Sequence, residues 1–235
     1  MFYEDNVVLS FSDKSDGDLS FCLPEEDDAR AHWQCLPDVM RLGLNDPVFA
    51  QQIHGKDVLH ITHRPEVLCF GSGDALITDL FDLPVGVFSA DCLPLLFWSP
   101  SAIAAAHAGW RGTCQNIAAA TVAAFQKHYS IGPEQIKVAI GPCIGSCCLE
   151  LGDEVFFSFT DASSEYQKYF VRKHKWQLDL PALNRFQLIK AGVKEENIQL
   201  HHQCTFCNDE RFYSYRRQKK RNGSMFSFVV KRSPN

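Results

Sequence analysis

The chain has 235 residues, of which 46% are hydrophobic and 22% are charged, as in a soluble globular protein with a sizeable core. Its formal net charge of −5 argues against a nucleic-acid-binding protein, because neutralising phosphates requires a basic surface. One dense basic run, Arg216–Arg221, is interpreted as a solvated loop, with contact to an anionic substrate as the alternative.

The start of the chain, MFYED, contains neither a basic segment nor a long apolar one. We therefore expect no signal peptide and a cytoplasmic protein. The most apolar stretch, residues 83–110, is interrupted by Asp91, Pro94, Pro100 and His107. These interruptions predict buried strands and argue against a membrane span.

Short apolar runs separated by turn residues dominate the first half of the chain. The predicted strands there are Val7–Phe11, Val48–Ile53, Asp57–Thr62, Ala75–Thr78, Val85–Phe88, Leu93–Trp98 and Ile103–Ala106. Several of these runs lack alternation, which is typical of strands buried on both faces.

Helical spacing follows over Thr113–Tyr129, with Thr113 as a suitable N-cap. A second helix is expected after the turn at residues 141–145 and extends through Phe157, and a third covers Asp179–Ala191. A strand is predicted at Gln135–Ile140, and the closing strands are predicted at Ile198–Leu200, Phe212–Tyr215 and Met225–Val230. Clustered strands and few helices predict an α+β fold of mixed sheets flanked by helices, forming a single domain over residues 1–235.

Three segments each carry one metal-ligating side chain next to glycine or proline. They are QIHG with His54, SADCLP with Cys92 and AHAGWRG with His107. Two imidazoles and one thiolate suit zinc, and three protein ligands with an open fourth position are typical of a catalytic zinc. The sequence therefore predicts a zinc enzyme, provided that the fold brings the three side chains together.

Two further residues are candidates for the same site. Arg111 follows His107 in a strand–turn–helix element, where a helix N-terminus and a guanidinium favour phosphate or carboxylate. Asp91 lies between two buried strands, where a carboxylate must be hydrogen-bonded. We expect Asp91 either to orient a histidine ligand or to act as a general base.

Each ligand taken singly has a structural alternative. His54 is also explained as a hydrogen-bonded turn histidine, and Cys92 as a buried apolar thiol. Most of the ten cysteines are interpreted as small buried hydrophobic residues. The pair Cys204 and Cys207 is a CxxC motif without a second copy, so a redox or structural-metal role is the less favoured alternative.

The motifs QIHGKDV, GDALIT, SADCLPLLF, AHAGWRGT and FYSYRR together resemble the YfiH-like family, also known as the laccase-domain or polyphenol oxidase family. The resemblance spans about residues 48 to 230. It implies an α+β fold similar to the catalytic domain of cytotoxic necrotizing factor toxins. It also implies that His54, Cys92 and His107 bind one zinc.

The family resemblance implies a purine nucleoside phosphorylase acting on adenosine, inosine and methylthioadenosine, with adenosine deaminase activity in some members. The expected partners are therefore a purine nucleoside and phosphate, with no nucleic acid and no membrane. The alternatives are an amide hydrolase that edits a UDP-muramyl peptidoglycan precursor, by zinc-hydroxide or Cys-His chemistry, and a non-enzymatic small-molecule-binding module. Copper is a less favoured metal, because a multicopper oxidase needs many paired histidines.

Two segments depart from the family pattern. Gly73-Asp74-Ala75 stands where the family has Ala-Asp-Ala, and Arg221-Asn222-Gly223-Ser224 stands where the family has Thr-Gly-Arg. The second departure displaces or removes an arginine, which puts substrate contacts near the C-terminus in doubt.

Overall fold

The computed structural model describes residues 2–4, 6–20, 26–220 and 222–233. In these residues the α-helices are α1 (Glu26–Cys35), α2 (Pro37–Leu42), α3 (Trp110–Cys114), α4 (Ile117–Tyr129), α5 (Asp153–Ala162), α6 (Leu180–Lys190) and α7 (Tyr215–Gln218). The strands are β1 (Phe2–Glu4), β2 (Val7–Phe11), β3 (Phe49–Gln51), β4 (Val58–Ile61), β5 (Cys69–Ser72), β6 (Ala75–Thr78), β7 (Val85–Ser89), β8 (Leu93–Trp98), β9 (Ile103–Ala108), β10 (Lys137–Ile140), β11 (Glu150–Leu151), β12 (Phe170–Arg172), β13 (Trp176–Leu178), β14 (Ile198–Leu200) and β15 (Met225–Lys231).

A six-stranded mixed sheet with the order β14-β10-β8-β9-β6-β4 forms the centre of the fold. Its two outer pairs are parallel, and the pairs between them are antiparallel. A four-stranded sheet, β1-β2-β15-β7, packs on one face, and smaller sheets β11-β13-β12 and β3-β5 lie beside these two.

Both faces of the central sheet are covered, as the non-alternating strand runs predict. On β9, Ala104 and Ala106 belong to the core shared with Phe125 of α4, whereas Ile103 and Ala105 belong to the core shared with the four-stranded sheet. All six residues of β8 and all six of β9 are buried. Burial on two sides makes the ends of these strands rigid supports for a site.

The predicted α+β class with mixed sheets and flanking helices is confirmed. Three local predictions are wrong. The predicted helix over Thr113–Tyr129 is two helices, α3 and α4, because Asn116 takes a left-handed conformation with φ 64° and caps α4 through Ala119. Phe212–Tyr215 is not a strand, and Tyr215 begins the short helix α7. The helix expected after residues 141–145 begins only at Asp153.

The prediction that most cysteines are buried is also wrong. Of the nine cysteines in the described residues, Cys143 alone is fully buried. Of the others, four are exposed and four are partly buried. Within the described residues, no helix has both the length and the apolar character needed to cross a membrane.

The junction between α3 and α4 can be tested at Asn116. We expect Asn116→Ala to lower the free energy of unfolding by about 1–2 kcal/mol, because alanine loses the cap and disfavours positive φ. Asn116→Gly, the matched control, should cost only a few tenths of a kcal/mol, since glycine tolerates this φ. Urea unfolding of both variants measures the difference, and equal losses would contradict the role of the backbone conformation.

Candidate metal centre

The side chains of His54, Cys92 and His107 converge at one end of the central sheet. Their imidazole nitrogens and thiol sulfur all lie within 4.8 Å of one another, so the group could hold a metal ion. The two imidazole rings are nearly perpendicular, with centroids 4.9 Å apart. His107 is buried, Cys92 is partly buried and His54 is exposed, so the group opens to solvent on the His54 side.

Strand register explains how residues far apart in sequence meet here. β8 and β9 pair so that Leu93 lies opposite Ala108 and Pro94 opposite His107, which places Cys92 beside the end of β9. On the other side of β9, Ala75 of β6 lies opposite Ala106.

The backbone continues that second pairing one residue beyond β6. The N–H of His107 donates to the carbonyl of Asp74 over 2.7 Å. The two neighbours of β9 therefore deliver Cys92 and Asp74 to opposite sides of His107.

Asp74 is fully buried and holds two of the three candidate ligands. One carboxylate oxygen lies 2.8 Å from His107 Nδ1 and accepts the backbone N–H of His54. The other oxygen accepts the N–H groups of Ile53 and Gly55. A carboxylate at Nδ1 leaves Nε2 as the free ligand atom of His107, an arrangement typical of metal-binding histidines.

The carboxylate bonded to the histidine is thus Asp74 and not Asp91. Asp91 Oδ1 accepts the Thr205 hydroxyl over 2.6 Å, and Oδ2 accepts the N–H of Arg216 over 2.7 Å. The backbone N–H of Ile144 also donates to the Asp91 carbonyl over 2.9 Å. Together these three hydrogen bonds hold the Asp91 backbone at φ 105°. Such a backbone conformation is costly for a non-glycine residue and persists only where its surroundings impose it.

Electrostatics in the group favour a thiolate. Burial raises the pKa of Cys92, but the adjacent His107 and His54 outweigh burial and bring the pKa to about 6. Burial lowers the pKa of His107, but Cys92 and Asp74 outweigh it and raise the pKa to about 9. A thiolate is the form of cysteine that binds metals and attacks carbonyl groups.

The space around the three side chains also suits a bound ion. A Cβ at Gly109 would lie 3.1 Å from both Cys92 Sγ and His54 Cδ2, so a larger residue would crowd the ligands. Two imidazoles and one thiolate with a side open to solvent match the donor set of a three-ligand catalytic zinc. The residues present therefore fit the metal that the family resemblance implies.

A pocket of about 800 Å³ opens over the group. Its lining includes the aromatic residues Phe88, Trp110 and Tyr215, together with the basic residues Arg111 and Lys220. The Arg111 guanidinium lies over the Trp110 ring, 4.2 Å from its centroid. Apolar walls with a few charged groups are typical of small-molecule sites.

The helix expected after the turn at His107 is the short α3, which has five residues and begins after Gly109. Three described residues of the basic run contact other parts of the protein or line the pocket. Arg216 and Lys220 line the pocket, and Arg217 donates to the carbonyls of Thr205 and Phe206. Arg221 lies outside the described residues, whereas Asn222, Gly223 and Ser224 line the pocket.

Sequence reasoning missed the role of Asp74. In the sequence, its segment Gly73-Asp74-Ala75 stands out only as a departure from the family pattern. A buried aspartate directly before an apolar strand requires hydrogen-bond donors, which could have marked the residue as structural or functional. Its partners, however, depend on strand pairing that spacing alone does not show.

The sequence matches the family model described as multi-copper polyphenol oxidoreductase laccase over residues 22–232. The chain belongs to this family. Its match confirms the resemblance drawn from the motifs, since relatives in the family carry the names YfiH and YlmD.

Relatives of known sequence and structure agree with the family match. Purine nucleoside phosphorylase YlmD of Geobacillus stearothermophilus is 34% identical over 218 residues, covering 86% of this chain and 76% of the relative. Adenosine deaminase RL5, from an unknown prokaryotic organism, is 34% identical over 207 residues, covering 82% of this chain and 79% of the relative. The crystal structure of the hypothetical protein YfiH of Bacillus licheniformis superposes with a TM-score of 0.86 at 30% identity, covering 95% of this chain and 92% of that one.

The family description mentions several coppers. Within the described residues, two groups of His, Cys, Asp or Glu side chains could hold a metal ion. One is His54, Cys92 and His107, and the other consists of four cysteines. Blue-copper sites usually add an axial methionine to two histidines and a cysteine. None of the described residues that line the pocket is a methionine.

The holding role of Asp74 predicts a loss of metal affinity on substitution. Asp74→Asn keeps the size but replaces one acceptor oxygen with an N–H₂ donor, which faces N–H groups. We expect zinc affinity to fall about 10–100-fold, measured by competition with a chromophoric chelator. Asp57→Asn, at an exposed position of the neighbouring segment, is the control and should not change the affinity. Equal affinities in both variants would contradict the role given to Asp74.

Proposed function

We propose that this protein is a zinc-dependent purine nucleoside phosphorylase acting on adenosine, inosine and methylthioadenosine. The observation that carries the proposal is the meeting of His54, Cys92 and His107 at the floor of a pocket large enough for a nucleoside. Membership of a family in which relatives are named purine nucleoside phosphorylase supports the same conclusion. The whole chain is proposed to act as one catalytic domain.

The donor set supports zinc over copper. One thiolate and two neutral imidazoles are ligands that zinc accepts in tetrahedral geometry. Zinc bound here would supply a Lewis acid that polarises an oxygen of the bound substrate or phosphate. His107, fixed by Asp74, would present Nε2 to that ion, and His54 would complete the site from the exposed side.

The remaining pocket residues suit the two substrates of phosphorolysis. Trp110 and Tyr215 offer flat faces for a purine ring, and Arg111 offers paired N–H donors for phosphate. In the reaction, a phosphate oxygen bonds to the anomeric carbon of the ribose while the glycosidic bond breaks. The base departs with the bonding electron pair and takes up a proton, which gives ribose 1-phosphate and a free purine.

Adenosine deamination is a second candidate, favoured by the relative named adenosine deaminase. In deamination, water replaces the amino group of the base and ammonia leaves. Asp91 is a candidate general base, but both of its oxygens already accept hydrogen bonds from Thr205 and Arg216, which supports a positioning role instead. Incubation of adenosine with and without phosphate separates the two reactions, because adenine with ribose 1-phosphate and inosine with ammonia are distinct products.

Amide hydrolysis is supported by one observation, the lowered pKa of the Cys92 thiol beside two histidines. A Cys-His nucleophile needs no metal. Loss of all turnover on removal of metal by a chelator, with recovery on adding zinc, favours zinc-dependent chemistry. If every assay instead yields only unchanged nucleoside, the result favours a small-molecule-binding module.

We expect His107→Ala to abolish both zinc binding at this site and nucleoside turnover, because the buried ligand and its bond to Asp74 are lost together. Metal analysis and a product assay measure the two effects, and circular dichroism checks that the variant is folded. His174→Ala, at an exposed position, is the control and should retain both properties. Full turnover by the His107 variant would refute the proposed site.

We expect Arg111→Ala to raise the KM for phosphate about tenfold, since a charge-assisted hydrogen bond to the anion is lost. The free energy of unfolding should change by less than about 1 kcal/mol, because the exposed side chain contributes only its contact with Trp110. Lys127→Ala, on the exposed face of α4, is the control. A lower melting temperature with unchanged KM would contradict an anion-binding role.

A further inference from the structure

Four cysteines outside the pocket form a second compact group, which we name the four-cysteine cluster. Cys147 and Cys148 lie in the turn after Gly145, and Cys204 and Cys207 lie in the turn after β14. All four sulfurs lie within 4.8 Å of one another. The sulfur of Cys147 is 3.6 Å from that of Cys204, and the sulfur of Cys207 is 3.7 Å from that of Cys147 and 3.5 Å from that of Cys148.

These separations correspond to the edges of a coordination tetrahedron. With Zn–S bonds of about 2.3 Å, tetrahedral geometry sets neighbouring sulfurs roughly 3.8 Å apart. The sulfurs of Cys147 and Cys207 each have more than one close neighbour, which matches ligands around a common centre better than two separate pairs. Clusters that contain several irons hold their thiolates farther apart, so the arrangement suits a single ion.

The backbone around the cluster favours a thiolate at Cys204 and holds the two turns together. The N–H of Gly145 donates to Cys204 Sγ over 3.2 Å, a bond that stabilises negative charge on sulfur. A Cβ at Gly145 would lie 3.3 Å from both Cys147 Sγ and Cys204 Cβ, so glycine allows the two turns to approach. The turns are also joined by two hydrogen bonds, from Cys143 N–H to the Gln203 carbonyl and from Thr205 N–H to the Cys143 carbonyl.

We propose that Cys147, Cys148, Cys204 and Cys207 form a structural zinc site with four thiolate ligands. A closed set of four protein ligands is typical of structural zinc, in contrast to the three-ligand centre under the pocket. This site is not predictable from cysteine spacing alone. Zinc ribbons contain two CxxC motifs, and here the adjacent pair Cys147-Cys148 stands in place of the second one.

The location of the site indicates what it stabilises. The two turns that it joins both contact Asp91, since Ile144 N–H donates to its carbonyl and the Thr205 hydroxyl donates to its carboxylate. Asp91 precedes Cys92 and holds an unfavourable backbone conformation. A zinc ion between the turns would therefore fix the segment that presents the thiolate to the pocket.

Zinc stoichiometry of the full-length protein tests the proposal. After equilibration with Zn(II) and removal of excess metal, we expect two zinc ions per wild-type chain. The triple variant His54→Ala/Cys92→Ser/His107→Ala should bind one zinc ion, at the four-cysteine cluster. The double variant Cys147→Ser/Cys207→Ser should bind one zinc ion fewer than wild type. Cys69→Ser, an exposed cysteine outside both groups, is the control and should bind two.

The triple variant keeps the test decisive even where the cysteine variant fails to fold, because its four-cysteine cluster is intact. Titration of the metal-free triple variant with Co(II) should saturate at one equivalent, with the intense visible absorption of tetrahedral thiolate coordination. Zn(II) should then protect the four thiols from alkylation. A triple variant that binds no zinc, or whose four thiols remain fully reactive with Zn(II) present, overturns the proposal. A mass 2 Da below that of the reduced chain, showing a disulfide between these cysteines, does so too.

Discussion

The buried carboxylate of Asp74 is the interaction on which the candidate centre depends. It bonds to His107 Nδ1 and accepts three consecutive backbone N–H groups from Ile53 to Gly55. An unpaired buried carboxylate would be strongly destabilising, so this one is stable only while the loop and the histidine stay in place. The same bonds hold His54 at φ 60°. One side chain thereby ties a loop, a strand end and two candidate ligands into a single rigid unit.

The rest of the fold supplies the support for that unit. β8 and β9 are buried on both faces, and their register sets Cys92 beside His107. The turns that carry the four-cysteine cluster hold Asp91 from the other side, so the thiolate is positioned by contacts at both of its flanks. The family description names copper and oxidation, whereas the function proposed above assigns zinc and group transfer to the same three side chains.

Sequence motifs pointed to the three candidate ligands, because each stands next to glycine or proline in a segment shared with the family. Most central strands were also predictable, since fully apolar runs such as Leu93–Trp98 indicate burial on both faces. Asp74 and the four-cysteine cluster were not, because their partners are brought close only by strand pairing and by turns distant in sequence. The break before α4 escaped prediction for a different reason: the left-handed conformation of Asn116 interrupts a stretch whose side chains keep helical spacing.

The central claim is that one zinc ion bridges His54, Cys92 and His107. Diffraction from crystals of the zinc-loaded protein, measured on both sides of the zinc absorption edge, tests it most directly. The account predicts an anomalous peak about 2.0–2.1 Å from one nitrogen of each histidine and about 2.3 Å from the Cys92 sulfur. A map with no zinc peak among these three side chains, from crystals of catalytically active protein, would contradict it.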